Sequence, residues 1–142
     1  MTEERILMLV KPDGVADHHV GEIISRVERR GYVLEALKVV QATPEQLEQH
    51  YHKLVDEPFF SDISEYMLSG PIVAMIASGT NVIKAVRTMT GSTNPTEAAS
   101  GTIRGDFARE WSEGAIHNVV HSSDSVTSAE REIGIWFPEL NA

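Results

Sequence analysis

The chain has 142 residues, of which 42% are hydrophobic and 23% are charged, a length and composition typical of one globular domain spanning residues 1–142. It contains no cysteine, which excludes disulfides and thiolate metal sites and leads us to expect a reducing, cytoplasmic compartment. The formal net charge of −9 argues against general affinity for nucleic acids or anionic membranes, and no apolar run approaches the roughly 20 residues of a membrane span.

The first third of the chain predicts a strand, a helix and a second strand. Residues 6–10 form a short apolar run that ends at the turn sequence Lys11-Pro12-Asp13-Gly14, as expected for a buried strand. Apolar residues then recur with helical spacing over residues 20–27, and Gly31 ends this predicted amphipathic helix. Residues 32–40 predict the second strand.

The middle of the chain predicts two helices and then a central strand. Residues 43–46, Thr-Pro-Glu-Gln, combine an N-cap, a proline at the first helical position and a capping-box glutamine. Apolar positions continue on one face of this helix as far as Leu54. A second helix fits residues 59–67, and residues 72–77 are apolar enough for a strand buried on both faces.

The last part of the chain predicts a helix over residues 81–90 and then a long irregular segment, residues 92–115. Irregular segments of this length in a compact domain are usually functional or interfacial. A short strand at residues 119–121 and a helix capped by Asp124 or Ser125 complete the order. We therefore predict an α/β (α+β) sandwich of the ferredoxin-like type, βαββαβ with a four-stranded antiparallel sheet and added helices.

One histidine stands at the end of the last predicted strand. His121 lies between a β-branched run and a polar turn, where an imidazole can act as a nucleophile near neutral pH. The alternative is a histidine that is merely satisfied by hydrogen bonds at a strand–helix junction. Lys11, Arg87 and Arg104 each have an ordinary surface interpretation. Together with a nucleophilic histidine, however, they indicate a phosphoryl-transfer site, in which cations contact phosphate oxygens while a nitrogen attacks phosphorus.

Short motifs of distinctive sequence are spread along the chain. They are Lys11-Pro12-Asp13-Gly14, His50-Tyr51, Pro58-Phe59-Phe60, Ser69-Gly70-Pro71, Thr93-Asn94-Pro95, Gly101-Thr102-Ile103-Arg104-Gly105-Asp106-Phe107 and His121-Ser122-Ser123-Asp124-Ser125. In this order they closely resemble the nucleoside diphosphate kinase family over nearly the whole chain. The resemblance implies a ferredoxin-like core and exchange of the terminal phosphate between nucleoside triphosphates and diphosphates, with ping-pong kinetics through a phosphohistidine. It also implies Mg²⁺ carried by the nucleotide phosphates, without protein metal ligands, and a homo-oligomer, with a hexamer favoured over a tetramer.

The resemblance implies roles for individual residues, position by position. His121 matches the family's nucleophile, and Ser123 and Glu132 match the residues that orient it. Lys11 and Tyr51 match further catalytic positions that line the phosphate site.

The nucleotide-binding positions follow from the same resemblance. Phe59 matches the aromatic residue that stacks on the base, and Leu54 and Ile63 match its apolar neighbours. Because a stacking ring reads no base edge, we expect broad specificity for purines and pyrimidines. The residues that match the phosphate and sugar sites are Lys11, Tyr51, Arg87, Thr93, Arg104 and Asn118.

The chain departs from the family pattern at two places. Ser122 stands after the nucleophile, where the family usually has glycine or alanine, and serine would be strained there only if the backbone required a positive φ. Residues 108–117 form a longer segment than the common family pattern has, so the apolar residue that faces the base from this segment cannot be assigned. We expect Trp111 of this segment to pack onto a neighbouring subunit or the base-side rim, because a buried indole could anchor the extra length.

Other interpretations fit the sequence less well. The alternative from a different functional class is a catalytically silent nucleotide-binding scaffold or regulatory oligomer of the same fold. His50 and His52 are two apart on a predicted helix and point to different sides, which argues against a protein-bound zinc. His121, Ser123 and Asp124 resemble a hydrolase triad only in composition, since neighbours in sequence rarely converge into that geometry. The chain also lacks the glycine-rich lysine loop of P-loop enzymes.

Overall fold

A four-stranded antiparallel sheet organises the chain, of which the computed structural model describes residues 3–112 and 116–141. The strands lie in the order β2-β3-β1-β4, so that β1 is central and β2 and β4 are the edges. This order and the antiparallel pairing confirm the predicted ferredoxin-like fold. The strands are β1 (Glu3–Val10), β2 (Val33–Val40), β3 (Ile72–Thr80) and β4 (Val120–Ser122).

Helices cover both faces of this sheet. Within the described residues they are α1 (Pro12–Ala16), α2 (Val20–Arg29), α3 (Pro44–His50), α4 (Phe60–Leu68), α5 (Val82–Thr90), α6 (Ile103–Phe107) and α7 (Val126–Trp136), followed by a 3₁₀ helix (Pro138–Asn141). Apolar side chains of α2 and α5 pack on one face, and those of α3, α4 and α7 pack mainly on the other. Of these helices, none combines the length and apolar character needed to cross a membrane.

The central strand β1 supplies side chains to both layers of the core. Ile6, Met8 and Val10 point to one layer, and Leu7 and Leu9 point to the other, in keeping with the period-two geometry of a strand. All five are fully buried, and each contributes roughly 1.5–3 kcal/mol of apolar burial. The strand whose end leads into α1 is therefore fixed firmly in the core.

Most predicted elements are confirmed, and the differences are local. The side chains of Thr43 and Gln46 form the expected capping box at the start of α3. That helix ends at His50 rather than near Leu54, because Tyr51 is its C-cap and the following residues form turns. The turn predicted after β1 is a short helix, α1, which begins at Pro12 as its first residue.

The described part of the segment predicted as irregular, residues 92–112, contains one regular element. Residues 103–107 form α6, whose N-cap Thr102 accepts a hydrogen bond from the Gly105 amide through its side chain. Five residues are too few to produce a recognisable helical period. Residues 113–115 of the predicted irregular segment lie outside the described residues.

The edge strand β2 exposes apolar side chains. Leu37 and Val39 are 50% and 71% exposed and lie on the same face of the strand. Val33 is 60% exposed but lies on the other face, because a β-bulge shifts the register between Leu34 and Ala36. An edge strand with unpaired backbone groups and exposed apolar side chains is a surface on which another strand can pair.

Candidate active site

His121 is held at one nitrogen by a carboxylate. It lies on β4 opposite Leu9 of β1, and its Nε2 is 2.8 Å from Oε1 of the buried Glu132 on α7. The hydroxyl of Ser123 donates to the same carboxylate oxygen at 2.7 Å and accepts from the Leu7 amide at 3.0 Å. Because a carboxylate only accepts, the neutral ring carries its proton on Nε2. Nδ1 is therefore the nitrogen with a free lone pair.

Burial keeps this imidazole neutral. Desolvation is the largest effect and lowers the pKa of His121 below its ordinary value. The hydrogen bond and charge of Glu132 oppose this shift, and the charges of Lys11 and Arg104 add to it. At neutral pH the lone pair of Nδ1 is accordingly available for nucleophilic attack.

Lys11 brings a buried ammonium to the end of the central strand. It is the N-cap of α1, directly after β1, and its Nζ donates to Oδ1 of Asn118 at 2.8 Å. The Asn118 side chain in turn donates to the backbone carbonyl of Thr93 at 3.1 Å. Burial, and then the charge of Arg104, lower the pKa of Lys11 to about 8. Three residues of the predicted phosphate and sugar sites are thus connected, although the Thr93 side chain itself is exposed.

Arg104 is buried behind the last strand. Its guanidinium donates to three backbone carbonyls: those of Gly91 at 2.8 Å, Val120 at 2.7 Å and Asn118 at 3.3 Å. Burial, and then the nearby charge of Arg87, lower the pKa of Arg104 to about 10. The residue therefore fixes the backbone that carries His121 and also places a cation beside it.

Arg87 has a more open position. It lies in the last turn of α5, is exposed, and donates through Nη1 to the carbonyl of Ser122 at 3.1 Å. This hydrogen bond, the one described for its side chain, ties the guanidinium to the residue directly after His121. Most of its donors therefore face solvent, where an anionic ligand could accept them.

The backbone just before β4 is strained. Val119 has a φ of +71°, and the Val120 amide donates to the Asn118 carbonyl at 2.7 Å, which together describe a γ-turn. A positive φ is costly for a β-branched residue. The Asp13 carboxylate accepts from the Val119 amide at 3.2 Å, and the Lys11 amide donates to the Val119 carbonyl at 2.8 Å. These two bonds hold the turn that places Asn118 beside Lys11.

An apolar cavity of about 230 Å³ adjoins Lys11. Phe59 and Ile63, which the sequence predicted as base neighbours, both line it. Ile116 also lines it, and sequence reasoning missed this residue because it lies in the segment that does not align with the family pattern. The complete lining is Lys11, Tyr51, Phe59, Ile63, Tyr66 and Ile116.

A second cavity, of about 320 Å³, opens onto His121. Tyr51 lines both cavities and so forms a wall between them, and burial raises the pKa of its hydroxyl. Leu54 lines this second cavity and not the one around Phe59, so the two predicted base neighbours, Leu54 and Ile63, lie in different places.

Two further residues support the site without having been predicted. The Tyr66 hydroxyl donates to the Asp13 carboxylate, and the His117 ring stacks on the Tyr66 ring at a centroid distance of 4.3 Å. These contacts join residues of α4, α1 and the segment before β4, so no local pattern could have shown them. They anchor the end of the long segment next to Ile116.

The two departures from the family pattern have different outcomes. The positive φ lies at Val119 and not at Ser122, so the serine is unstrained as expected. Trp111 is 57% exposed, and the Arg109 guanidinium lies 3.8 Å from its ring centroid. Packing of Trp111 on the base-side rim is therefore not found among the described residues, and its contact with a neighbouring subunit stays a prediction.

The fold and the site have the features of a phosphotransferase: a carboxylate-held histidine, buried cations and an adjoining apolar cavity. The nucleoside diphosphate kinase family model matches residues 4–142. The nucleoside diphosphate kinase of Streptococcus thermophilus strain CNRZ 1066 is 50% identical over 136 residues, which are 96% of this chain and 99% of that protein. Nucleoside diphosphate kinase 3 of Mus musculus is 52% identical over 136 residues, 96% of this chain and 78% of that protein.

A solved structure gives the same result. A crystal form of the Aquifex aeolicus nucleoside diphosphate kinase matches with a TM-score of 0.89 at 37% identity, over 98% of each chain. The chain belongs to the nucleoside diphosphate kinase family, as the motifs in its sequence indicated.

Proposed function

We propose that the chain transfers the terminal phosphate of a nucleoside triphosphate to a nucleoside diphosphate through a phosphohistidine at His121. The observation that carries this assignment is the hydrogen bond between His121 Nε2 and Glu132, which leaves Nδ1 as the nucleophile. One site serves donor and acceptor in turn, so the phosphoryl group must be stored covalently between them, and the kinetics are ping-pong.

The proposed chemistry has two symmetrical half-reactions. The Nδ1 lone pair attacks the γ-phosphorus, and the bond from that phosphorus to the bridging oxygen breaks, so that the diphosphate leaves with the electron pair. Glu132 stabilises the positive charge that develops on the ring, and Ser123 keeps the carboxylate in place. A terminal oxygen of the acceptor diphosphate then attacks the phosphohistidine, which restores the neutral imidazole.

The cations and amide have separate proposed roles in this transfer. Lys11 and Arg87 contact phosphate oxygens, and Arg104 adds its charge while it fixes the backbone from Asn118 to Val120. Tyr51 stands between the two cavities and directs the phosphates toward His121. Asn118 and Thr93 face the sugar and its phosphates.

Mg²⁺ is proposed to enter on the nucleotide. Both oxygens of the Asp13 carboxylate already accept hydrogen bonds, from the Tyr66 hydroxyl and the Val119 amide, and Glu132 is engaged with His121 and Ser123. This fits a cation that is ligated by phosphate oxygens rather than by a set of protein carboxylates. When bound, it neutralises charge on the phosphates and orients them.

The base is proposed to lie in the apolar cavity. Phe59 stacks on it, Ile63 and Ile116 complete the apolar walls, and Leu54 contacts the nucleotide from the neighbouring cavity. Stacking accepts every base, which favours broad specificity among nucleoside tri- and diphosphates.

A labelling experiment tests this function against the silent scaffold. The chain is incubated with ATP labelled in its γ-phosphate and with Mg²⁺, and the label on the protein is measured after acid and after base treatment. A phosphohistidine loses the label in acid and keeps it in base, and a second nucleoside diphosphate should discharge it. A scaffold that only binds nucleotides would take up no label.

Replacing Glu132 with glutamine should change both the rate and the pH dependence of this uptake. The carboxylate raises the pKa of His121 against the effect of burial, so its removal should lower that pKa further. Protonation of His121 would then require a lower pH, and the acid limb of the pH–rate profile should move to lower pH. The rate at neutral pH should fall by roughly a hundredfold, because the ring is less well oriented.

Rapid-quench measurement of labelled enzyme from pH 5 to pH 9 gives both quantities for Glu132→Gln. Glu130→Gln is the matched control, because Glu130 lies on the same helix but pairs with Arg5 at 2.7 Å on the surface. An acid limb that stays in place or moves to higher pH would contradict the role assigned to Glu132.

The proposal includes a homo-oligomer and a cytoplasmic location. The exposed apolar side chains of the edge strand β2, above all Leu37 and Val39, form a surface suited to a second copy of the chain. The family resemblance favours a hexamer over a tetramer, with the loop from Thr93 to Gly101 near the threefold contact. The cysteine-free composition favours the cytoplasm.

Replacing Leu37 with glutamate should disrupt assembly. A carboxylate in the middle of an apolar strand pairing would be buried without a partner, which is costly. Light scattering should give six subunits for the unaltered chain and a smaller species for the variant. Val126→Glu, at an equally exposed apolar position on α7, is the matched control and should leave assembly unchanged. Four subunits would overturn the hexamer, and an unchanged mass for Leu37→Glu would overturn the role of β2.

A further inference from the structure

A second histidine lies directly against the nucleophile. His50, the last residue of α3, is 6% exposed, and its ring meets the His121 ring edge-to-face at a centroid distance of 4.4 Å. One ring nitrogen of each histidine and one carboxylate oxygen of Glu132 lie within 4.8 Å of one another. Two imidazoles and a carboxylate are a ligand set that zinc takes in proteins. By its residue types and spacing alone, the cluster of His50, His121 and Glu132 would be able to bind a transition metal.

Trp136 donates a hydrogen bond to the lone pair of His50 that such a metal would need. Its indole Nε1 donates to Nδ1 of His50 at 3.0 Å, and both side chains are buried. An indole N–H can only donate, so Nδ1 of His50 is the acceptor and the neutral ring carries its proton on Nε2. One nitrogen is then engaged with Trp136 and the other is protonated. His50 has no lone pair left for a metal.

A change of pH within the neutral range does not alter the protonation of His50. Burial, and then the charges of His121, Lys11 and Arg131, lower its pKa to about 2. The groups around it are His121 on β4, Lys11 after β1, Arg131 and Glu132 on α7, and Tyr51 and His52 in its own turn. His50 is therefore neutral throughout the neutral range, and the hydrogen bond from Trp136, not the pKa, fixes its tautomer.

We propose that Trp136 is a specificity-determining residue that excludes transition metals from the cluster of His50, His121 and Glu132. A metal bound through Nε2 of His50 would force the ring proton to Nδ1, where it would face the indole N–H and leave two buried donors without acceptors. A metal bound through Nδ1 would have to displace the indole. Mg²⁺ prefers oxygen ligands and is unaffected. The hydrogen bond from Trp136 to His50 therefore discriminates between transition metals and Mg²⁺ by their preferred ligands.

The exclusion matters to the proposed function because zinc on the cluster would disturb the nucleophile. Zinc bound to His121 would remove either its free lone pair or its hydrogen bond to Glu132. This consequence rests on the proposed function, whereas the exclusion of metal can be measured without any enzymatic activity.

The test replaces Trp136 with phenylalanine, which removes the indole N–H and keeps an aromatic ring. Each protein is titrated with Co²⁺ alone, and visible absorption reports cobalt held by imidazole and carboxylate ligands. We expect Trp136→Phe to bind one additional Co²⁺, at least about tenfold more tightly than the unaltered chain. The double variant Trp136→Phe with His50→Phe keeps the other histidines but should lose this site.

Each outcome decides the proposal. An equal cobalt site in the unaltered chain would overturn it, and so would the absence of an added site in a folded Trp136→Phe variant. Addition of Zn²⁺ should block labelled phosphate uptake by Trp136→Phe, with recovery on chelation, and should affect the unaltered chain much less. If Zn²⁺ did not block this uptake although the cobalt site was present, the proposed function would be contradicted and the exclusion of metal would stand.

A measurement on the unaltered chain tests the proposal even if the Trp136→Phe variant does not fold. Long-range ¹⁵N–¹H correlation identifies the protonated nitrogen of each imidazole. His50 should show a protonated Nε2 and an unprotonated Nδ1, and this pattern should persist when Zn²⁺ is added. A protonated Nδ1, or a change of the His50 signals on zinc addition, would overturn the proposal.

Discussion

Replacing His121 with alanine should abolish both the uptake of phosphate from labelled ATP and its transfer to a second nucleotide. The variant retains the cations and the apolar cavity but has no nitrogen beside them to form the covalent bond. His50, whose ring contacts that of His121, is no substitute, since burial keeps it neutral and its Nδ1 already accepts a hydrogen bond from Trp136. Acid-labile label on the protein and coupled turnover measure the two steps separately.

The matched control for this variant is His18→Asn. His18 is exposed and has a φ of +64°, a backbone conformation that asparagine accepts well. Its uptake of label should equal that of the unaltered chain. More than a trace of labelled intermediate in His121→Ala would show that another residue carries the phosphate.

Replacing Arg104 with alanine should lower turnover by a hundredfold or more, about the effect of removing one preorganised donor of charge stabilisation. Stability should fall as well, because three backbone carbonyls lose their donor and each such loss costs about 1–3 kcal/mol when the group stays buried. Turnover at saturating substrate and the thermal midpoint should therefore decline together.

Arg87→Ala is the informative comparison for Arg104→Ala. The Arg87 side chain is exposed and has one described hydrogen bond, to the Ser122 carbonyl, so its loss should lower turnover by orders of magnitude with little change in the thermal midpoint. If either variant merely raised the substrate requirement at an unchanged maximal rate, the role in transition-state stabilisation would be wrong.

The sequence predicted those parts of the fold that depend on short-range patterns. The apolar run of β1, the helical spacing over residues 20–27 and the capping box at Thr43 are each complete within a few residues, and all three are confirmed. The end of α3 was placed too late, because Leu54 continues the apolar spacing although the chain has already turned at Tyr51.

The candidate site depended on the family resemblance more than on pattern. Residue-level reasoning left His121 as either a nucleophile or a histidine satisfied by hydrogen bonds, and its bond to Glu132 satisfies one nitrogen while leaving the other free. Ile116 could not be predicted because its segment does not align with the family. The bond between Trp136 and His50 joins residues 86 positions apart, and only the packing of α7 on α3 creates it.

The γ-turn at Val119 makes the two ends of the chain depend on each other in evolution. A β-branched residue at φ +71° raises the energy of the native state by roughly 1–3 kcal/mol, and the residues that hold it there, Lys11 and Asp13, lie more than a hundred positions earlier. A Cβ added at Gly14 would also approach within 3.0 Å of the Val119 side chain. Substitutions of Asp13 or Gly14 should therefore be tolerated only with certain residues at position 119. The Lys11 bond is made by a backbone amide, which every residue except proline provides. Residues 13 and 14 should therefore vary together with residue 119 in evolution. They are coupled through a backbone conformation and not through contacts with a shared ligand.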